Sequence, residues 1–181
     1  MTRPETIIPP EPESPFPITH ESRIISGFGR GSSELGIPTA NIPITPDLNQ
    51  LDTGIYYGWC KVIPHVQEND EKFIRKNGNE VIINHGRTLC KSELTILPMV
   101  MSIGWNPFYH NKEKAAEVHI IHKFDCDFYG ASLKYNVLGY IRPELNYTTK
   151  QALIDDINLD ISIAKQVLLE KEAYRQFKDK L

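Results

Sequence analysis

Two hydrophobic rhythms divide this chain. Between Glu21 and Ile141 the apolar residues come in short runs, rich in β-branched and aromatic side chains and separated by turn residues. The clearest are Arg23-Ile24-Ile25-Ser26 and residues 55–62, 98–105, 116–124 and 133–141. Side chains of this kind fit a pleated, half-buried surface, so each run predicts a strand. Several short strands with turn signals between them predict a barrel or a sandwich. After Thr148 the period changes. Leu153, Ile157, Ile161, Ala164 and Leu168 recur at three- and four-residue spacing, which predicts an amphipathic helix from about 149 to 170. Thr148 with Gln151 three residues on has the pattern of a capping box at its start.

Two stretches follow neither rhythm. Residues 1–19 hold prolines at 4, 9, 10, 12, 15 and 17, mixed with Glu and Ser. Such a segment lacks donors and apolar surface, so it is expected to be an extended or disordered arm ahead of a single domain at 20–181. Residues 63–97 carry a polar run, Gln67 to Lys72, and then two apolar runs around Asn77-Gly78. Asn-Gly between apolar runs is a type I′ hairpin signal, so this stretch is expected to project from the body as an added hairpin and loop. Long surface loops cost little closure entropy, which makes a tolerated insertion the simplest account of it.

Composition narrows the function classes. The chain has 181 residues, 40% of them hydrophobic and 24% charged, enough for one domain with a real core. A net charge of −3 gives no general attraction to nucleic acid or an anionic membrane surface. No apolar run approaches the roughly 18 residues that span a bilayer. The cysteines, Cys60, Cys90 and Cys126, are odd in number and lack a paired spacing, so a reducing, cytoplasmic setting is expected. Nothing at the N-terminus resembles a secretory signal, and the Asn146-Tyr147-Thr148 sequon is therefore read as chance.

The chemistry concentrates in Gly27-Phe28-Gly29-Arg30-Gly31-Ser32-Ser33-Glu34-Leu35-Gly36-Ile37-Pro38-Thr39-Ala40-Asn41. Glycines this dense let backbone N–H groups approach a ligand, and a run of such groups suits an anion such as phosphate. Thr39 and Asn41 then offer neutral oxygens, the right chemistry for a hard cation such as Mg²⁺. No Gly-Lys-Ser/Thr ending makes this a Walker A loop, and the third glycine arrives one residue early for a dinucleotide fingerprint. Pro38 and Pro43 also argue against a helix opening here. A phosphate-plus-metal site is the working expectation.

The same stretch resembles the signature of the riboflavin kinase family. Gly-x-Gly-Arg-Gly-Ser followed by Leu-Gly-x-Pro-Thr-Ala-Asn carries the likeness, and further matches keep the family's order. They are Thr53-Gly54-Ile55-Tyr56-Tyr57-Gly58-Trp59, Ser102-Ile103-Gly104-Trp105-Asn106-Pro107, Glu117-Val118-His119-Ile120, Asp127-Phe128-Tyr129-Gly130 and Gly139-Tyr140-Ile141-Arg142-Pro143-Glu144. The resemblance covers roughly residues 20–170. Residues 63–97 depart from it, because the family pattern joins these strands by a shorter hairpin.

The resemblance implies a small closed antiparallel Greek-key β-barrel with a C-terminal helix packed on it. It implies an enzyme that moves the γ-phosphate of ATP to the 5′-hydroxyl of riboflavin, giving FMN and ADP. Glu117 is then the catalytic base, and Thr39 and Asn41 hold Mg²⁺, with Zn²⁺ or Mn²⁺ as alternatives. Gly29, Gly31, Ser32, Gly36, Pro38, Thr39, His122, Phe128 and Tyr129 are implied ATP contacts. Arg142, Asn41 and Glu117 are implied flavin contacts, and part of the C-terminal helix's apolar face would lie against the isoalloxazine ring. ATP and riboflavin are the expected small-molecule partners of a monomer, with no nucleic acid. Strand geometry is consistent with this: Val118 and Ile120 can fill a core while Glu117 and His119 share the other face. His119 and His122 would fall on opposite faces, which disfavours a shared zinc site. A binding barrel without turnover is the alternative, and it has no need of a base beside a metal site.

Overall fold

The computed structural model describes residues 2–25, 36–74, 78–105 and 112–181. Among these residues there are eight strands: β1 (Ile18–Arg23), β2 (Ala40–Ile42), β3 (Gly54–Ile63), β4 (Glu71–Ile74), β5 (Glu80–Ile83), β6 (Leu97–Trp105), β7 (Lys114–Ile120) and β8 (Ser132–Arg142). Six of them form one curled antiparallel sheet in the order β1-β8-β3-β6-β7-β2. Within it β3, β6 and β7 are successive neighbours and β8 returns beside β3, which is the Greek-key arrangement. The two edges approach each other where the Ile25 N–H donates to the Asn41 carbonyl at 2.9 Å. The expected barrel is thus a curled sheet whose rim is joined, among the described residues, by the Ile25–Asn41 bridge.

The core lies on both faces of this sheet. Tyr56, Cys60, Val62, Met99, Met101, Ile103, Val118, Leu133, Tyr135 and Val137 fill the inside of the curl. Tyr57, Trp59, Val100, Leu138 and Ile141 point the other way, beneath helix α2 (Lys150–Glu170). That is why β3 reads as a nearly continuous apolar run rather than an alternating one. Where the β3–β8 register slips beside Gly58, the buried Asn136 side chain repairs the ladder. Its Oδ1 accepts from the Trp59 N–H at 2.8 Å, and its Nδ2 donates to the Phe177 carbonyl at 3.2 Å. A buried N–H left unpaired there would cost roughly 1–3 kcal/mol.

Helix α2 begins one residue later than the capping-box pattern predicts. Thr149, not Thr148, is the cap, its hydroxyl accepting from the Ala152 N–H at 3.2 Å. Gln151 turns aside to bond Asp155. Ala164 and Leu168 are buried as expected, with Val167 and the acidic Asp160 beside them. A short helix α1 (Pro46–Asn49), capped by Thr45, buries Leu48. A further turn, α3 (Glu172–Arg175), follows α2 and buries Tyr174 against Tyr57.

The N-terminal arm is extended, as expected, but it is not free. Arg3 forms an ion pair with Asp160 at 2.8 Å, the Tyr174 hydroxyl donates to the Pro9 carbonyl at 2.8 Å, and Ile8 packs on the helix-side core. Its boundary also moves, because Ile18 and Thr19 already pair with β8. The expectation of a disordered arm through residue 19 is corrected by these contacts. A few polar anchors substitute for the missing backbone ladder.

The segment 63–97 does contain a hairpin, β4–β5, as a sheet of its own. Its last register pair is Ile74 with Glu80, which leaves five residues between the strands instead of the two of a type I′ turn. Asn77 of the expected turn lies outside the described residues.

Candidate active site

Strand β7 carries the centre of the site. It alternates as its sequence predicts: Ala116, Val118 and Ile120 are buried, while Glu117 and His119 stand half-exposed on the other face. Glu117 is the register partner of Asn41 on β2 and of Ser102 on β6. Directly opposed residues share a face, with Cβ atoms roughly 4.5–5.5 Å apart. The two residues singled out as base and metal ligand are therefore brought together, although 76 positions of sequence separate them. Ser102 joins them; in the sequence it opens the matched 102–107 stretch and makes a polar break between buried Met101 and Ile103.

His119 does a second job on the same face. Its Nδ1 hydrogen-bonds the Pro38 carbonyl at 2.8 Å, anchoring the segment that leads through Thr39 to Asn41. Burial pulls the His119 pKa down from its usual value, only partly offset by that bond, so the ring is neutral at neutral pH. Burial pushes the Glu117 carboxyl up. Among the described residues no Lys or Arg forms an ion pair with Glu117. A partly desolvated carboxylate without a cation is a stronger proton acceptor than an exposed one.

The residues on either side of the glycine-rich stretch lie beside this face. Ile25 is bridged to Asn41, and the chain re-enters at Gly36, whose positive φ of 76° suits a glycine turn, before Ile37 is buried. Gly29, Gly31 and Ser32 lie outside the described residues. Gly36 and Pro38 are exposed and Thr39 is half-buried.

His122 is two residues beyond the end of β7, so the strand-face argument does not reach it. A tight turn, with its N–H on the Ile120 carbonyl, redirects the chain. Its ring meets Phe124 edge-on at 4.9 Å, and Phe124 lies 4.8 Å from Phe128, giving a row of three rings. Tyr129 and Gly130 continue this segment, and Gly130 donates to the Ile24 carbonyl at 3.2 Å, at the root of the glycine stretch. His122, Phe128 and Tyr129 thus belong to one neighbourhood.

Arg142 does not join them. It is 3% exposed and its guanidinium is held by Asp160 through Nε at 3.0 Å to both oxygens and Nη2 at 2.8 Å, with Nη1 on the Pro143 carbonyl. The expected flavin contact is an internal strut between β8 and α2. The apolar face of α2 is likewise committed to Tyr57, Trp59 and Val100. Trp59 is fully buried in the packing, whereas Trp105 is 48% exposed under the Lys114 ammonium.

Among the described residues no three His, Cys, Asp or Glu side chains gather as a metal cluster. The donors available opposite Glu117 are neutral oxygens, which fit a hard cation that shares its coordination with phosphate better than they fit zinc.

Comparison with known proteins identifies the family and the fold. The family model for riboflavin kinase (flavokinase) matches residues 14–168. A riboflavin kinase of Scheffersomyces stipitis is 68% identical over 179 residues, 99% of either chain. One of Lodderomyces elongisporus is 63% identical over 181 residues, the whole of both chains. The crystal structure of riboflavin kinase from Trypanosoma brucei superposes with a TM-score of 0.62 at 24% identity, covering 93% of this chain and 87% of that one, and shares its fold. The 63–97 segment lies inside the full-length yeast alignments.

Proposed function

The chain belongs to the riboflavin kinase family, and on that premise we propose how the face around Glu117 phosphorylates riboflavin with ATP. The observation that carries the proposal is the register pair Asn41–Glu117, which puts the base beside the neutral donors.

The overall reaction gives FMN and ADP. Phosphoryl transfer asks little covalent work of a protein and depends on positioning and charge compensation. Glu117 accepts the proton of the terminal ribityl hydroxyl as that oxygen attacks the γ-phosphorus and the bond to the ADP oxygen breaks. The upward shift of its pKa by burial brings the carboxylate nearer to the acidity at which general bases work well. Thr39 and Asn41 would hold Mg²⁺, or Mn²⁺ or Zn²⁺ in its place. The ion supplies positive charge to the phosphates, which explains why neutral ligands suffice. His119 keeps Pro38, and with it Thr39, in register beside the base.

ATP contacts from Gly36, Pro38, His122, Phe128 and Tyr129, with Gly29, Gly31 and Ser32 over the phosphates, complete the proposal. The row of rings from His122 to Phe128 supports a base-stacking role. A monomer in a reducing, cytoplasmic setting is part of the same proposal, supported for the compartment by three unpaired cysteines. Among the described residues no helix is long and apolar enough to cross a membrane.

The test is incubation with riboflavin, ATP and one divalent metal at a time, with chromatography of the flavins. FMN and ADP in equal amounts are expected, with Thr39→Ala raising the Mg²⁺ concentration needed for half-maximal turnover. Riboflavin bound without FMN under every metal would favour the binding barrel. An unchanged Mg²⁺ requirement would remove Thr39 from the metal site.

A further inference from the structure

The 63–97 segment does more than project from the body. His85 is its node. It is 3% exposed and adopts a left-handed backbone (φ 56°), which costs a non-glycine residue energy and persists only where the surroundings enforce it. The His85 N–H donates to the Tyr129 carbonyl at 2.8 Å, and the His85 carbonyl accepts from the His65 N–H at 2.9 Å. Its ring Nε2 reaches the Asn69 carbonyl at 3.0 Å, and Nδ1 lies 3.3 Å from Glu68 Oε2, near enough for an ion pair but not aligned as a hydrogen bond. Glu68 in turn pairs with Arg23 at the end of β1. One residue earlier, Asn84 Nδ2 donates to the Asp127 carbonyl at 2.9 Å.

The far side of this contact admits no looser fit. Gly130 has a φ of 84°, and a Cβ built there would lie 2.4 Å from His85 Nδ1 and 2.7 Å from Ile83 Cγ2. The insert therefore lies directly against the 127–130 backbone. That backbone is fixed on its other edge by Ile24, through Gly130 N–H to Ile24 O at 3.2 Å and Ile24 N–H to Ala131 O at 2.8 Å. Ile25 then bonds Asn41. A continuous ladder of hydrogen bonds runs from the insert through residues 127–131 to the metal-side strand.

We propose that Asn84 and His85 are positioning residues that set the 127–131 segment for nucleotide binding, so that the insert tunes affinity for ATP and not for riboflavin. It rests on the reading of Phe128 and Tyr129 as nucleotide contacts. The insert touches neither reacting atom; it acts through the backbone of the segment that carries those side chains.

The experiment has two parts. Amide hydrogen exchange of residues 127–131 in the full-length protein, with and without a non-hydrolysable ATP analogue, tests the premise. Steady-state kinetics of Asn84→Ala and His85→Asn test the inference, the second because asparagine tolerates a left-handed backbone while removing the ring over Gly130. Expected are protection of 127–131 by the analogue, a KM for ATP raised roughly two- to tenfold as for loss of one neutral hydrogen bond, and a KM for riboflavin within twofold of the parent. A purely structural role would instead lower the melting temperature and leave the ratio of the two KM values unchanged, and that result overturns the inference. Should His85→Asn fail to fold, Asn84 is half-exposed and its variant decides alone. Absence of protection removes the premise and the inference together; protection with an unchanged KM for ATP removes only the inference.

Discussion

Asp160 and Glu117 are both carboxylates withdrawn from water, and the fold handles them in opposite ways. Asp160 is 1% exposed on α2 and takes Arg142 in bidentate fashion and Arg3 at 2.8 Å, so three separate parts of the chain converge on one anion. Glu117 faces Asn41, Ser102 and a neutral His119, and no cation among the described residues pairs with it. A matched buried charge is rigid and chemically quiet. An unmatched one stays poised to take a proton. The comparison teaches where this molecule invests in architecture and where it leaves reactivity.

Two substitutions and a pH dependence sharpen that contrast. The largest effect is expected from Glu117→Gln, which keeps the shape and removes the base: turnover should fall about 10²- to 10⁴-fold with the fold intact. Near-normal FMN formation in that variant would take Glu117 out of the mechanism.

Asp160→Ala should act the other way round. It strands Arg142 as a buried charge, and breaking such a pair from one side costs about 3–5 kcal/mol, which denaturant unfolding would read directly. Because the variant touches no proposed substrate contact, the fraction that remains folded should keep the parental KM for both substrates. A stability loss within error of zero would mean that Arg3 and Arg142 find other partners.

The smallest effect concerns pH. The raised pKa of Glu117 means that its folded form holds a proton more tightly than the unfolded chain does. Its contribution to stability is full below the unfolded carboxylate pKa and is lost as pH rises through the folded value. Relative to the parent, Glu117→Gln should therefore melt at progressively higher temperature from acidic to neutral pH. A difference in melting temperature that is flat across that window would contradict the burial of this carboxylate. In the parent, the acidic limb of turnover should lie above the ordinary carboxylate range for the same reason.

Much of this was legible in the sequence, and the reasons are local. The alternation of β7 follows from the two-residue period of a strand, which by itself puts Glu117 and His119 on one face. The three- and four-residue spacing of Leu153 to Leu168 set the helix to within a residue of Lys150–Glu170. Asp160 was not legible. A lone acidic residue inside an apolar stripe is interpretable only once Arg142 and Arg3, 18 and 157 positions away, are seen to meet it. The docking of the arm was hidden likewise, since Arg3 and Pro9 show no periodicity and act through single polar anchors.

The sequence by itself determined the strand and helix segments, the composition of the glycine-rich stretch and the residue types suited to phosphate, metal and base, because each depends on neighbours within a few positions. Only the tertiary structure decided that Asn41 faces Glu117, that Arg142 is a strut, and that the 63–97 insert lies against residues 127–130. Those are register and packing facts. Pairing strands distant in sequence involves choices among many registers, and the burial that selects one of them exists only when the whole sheet has curled.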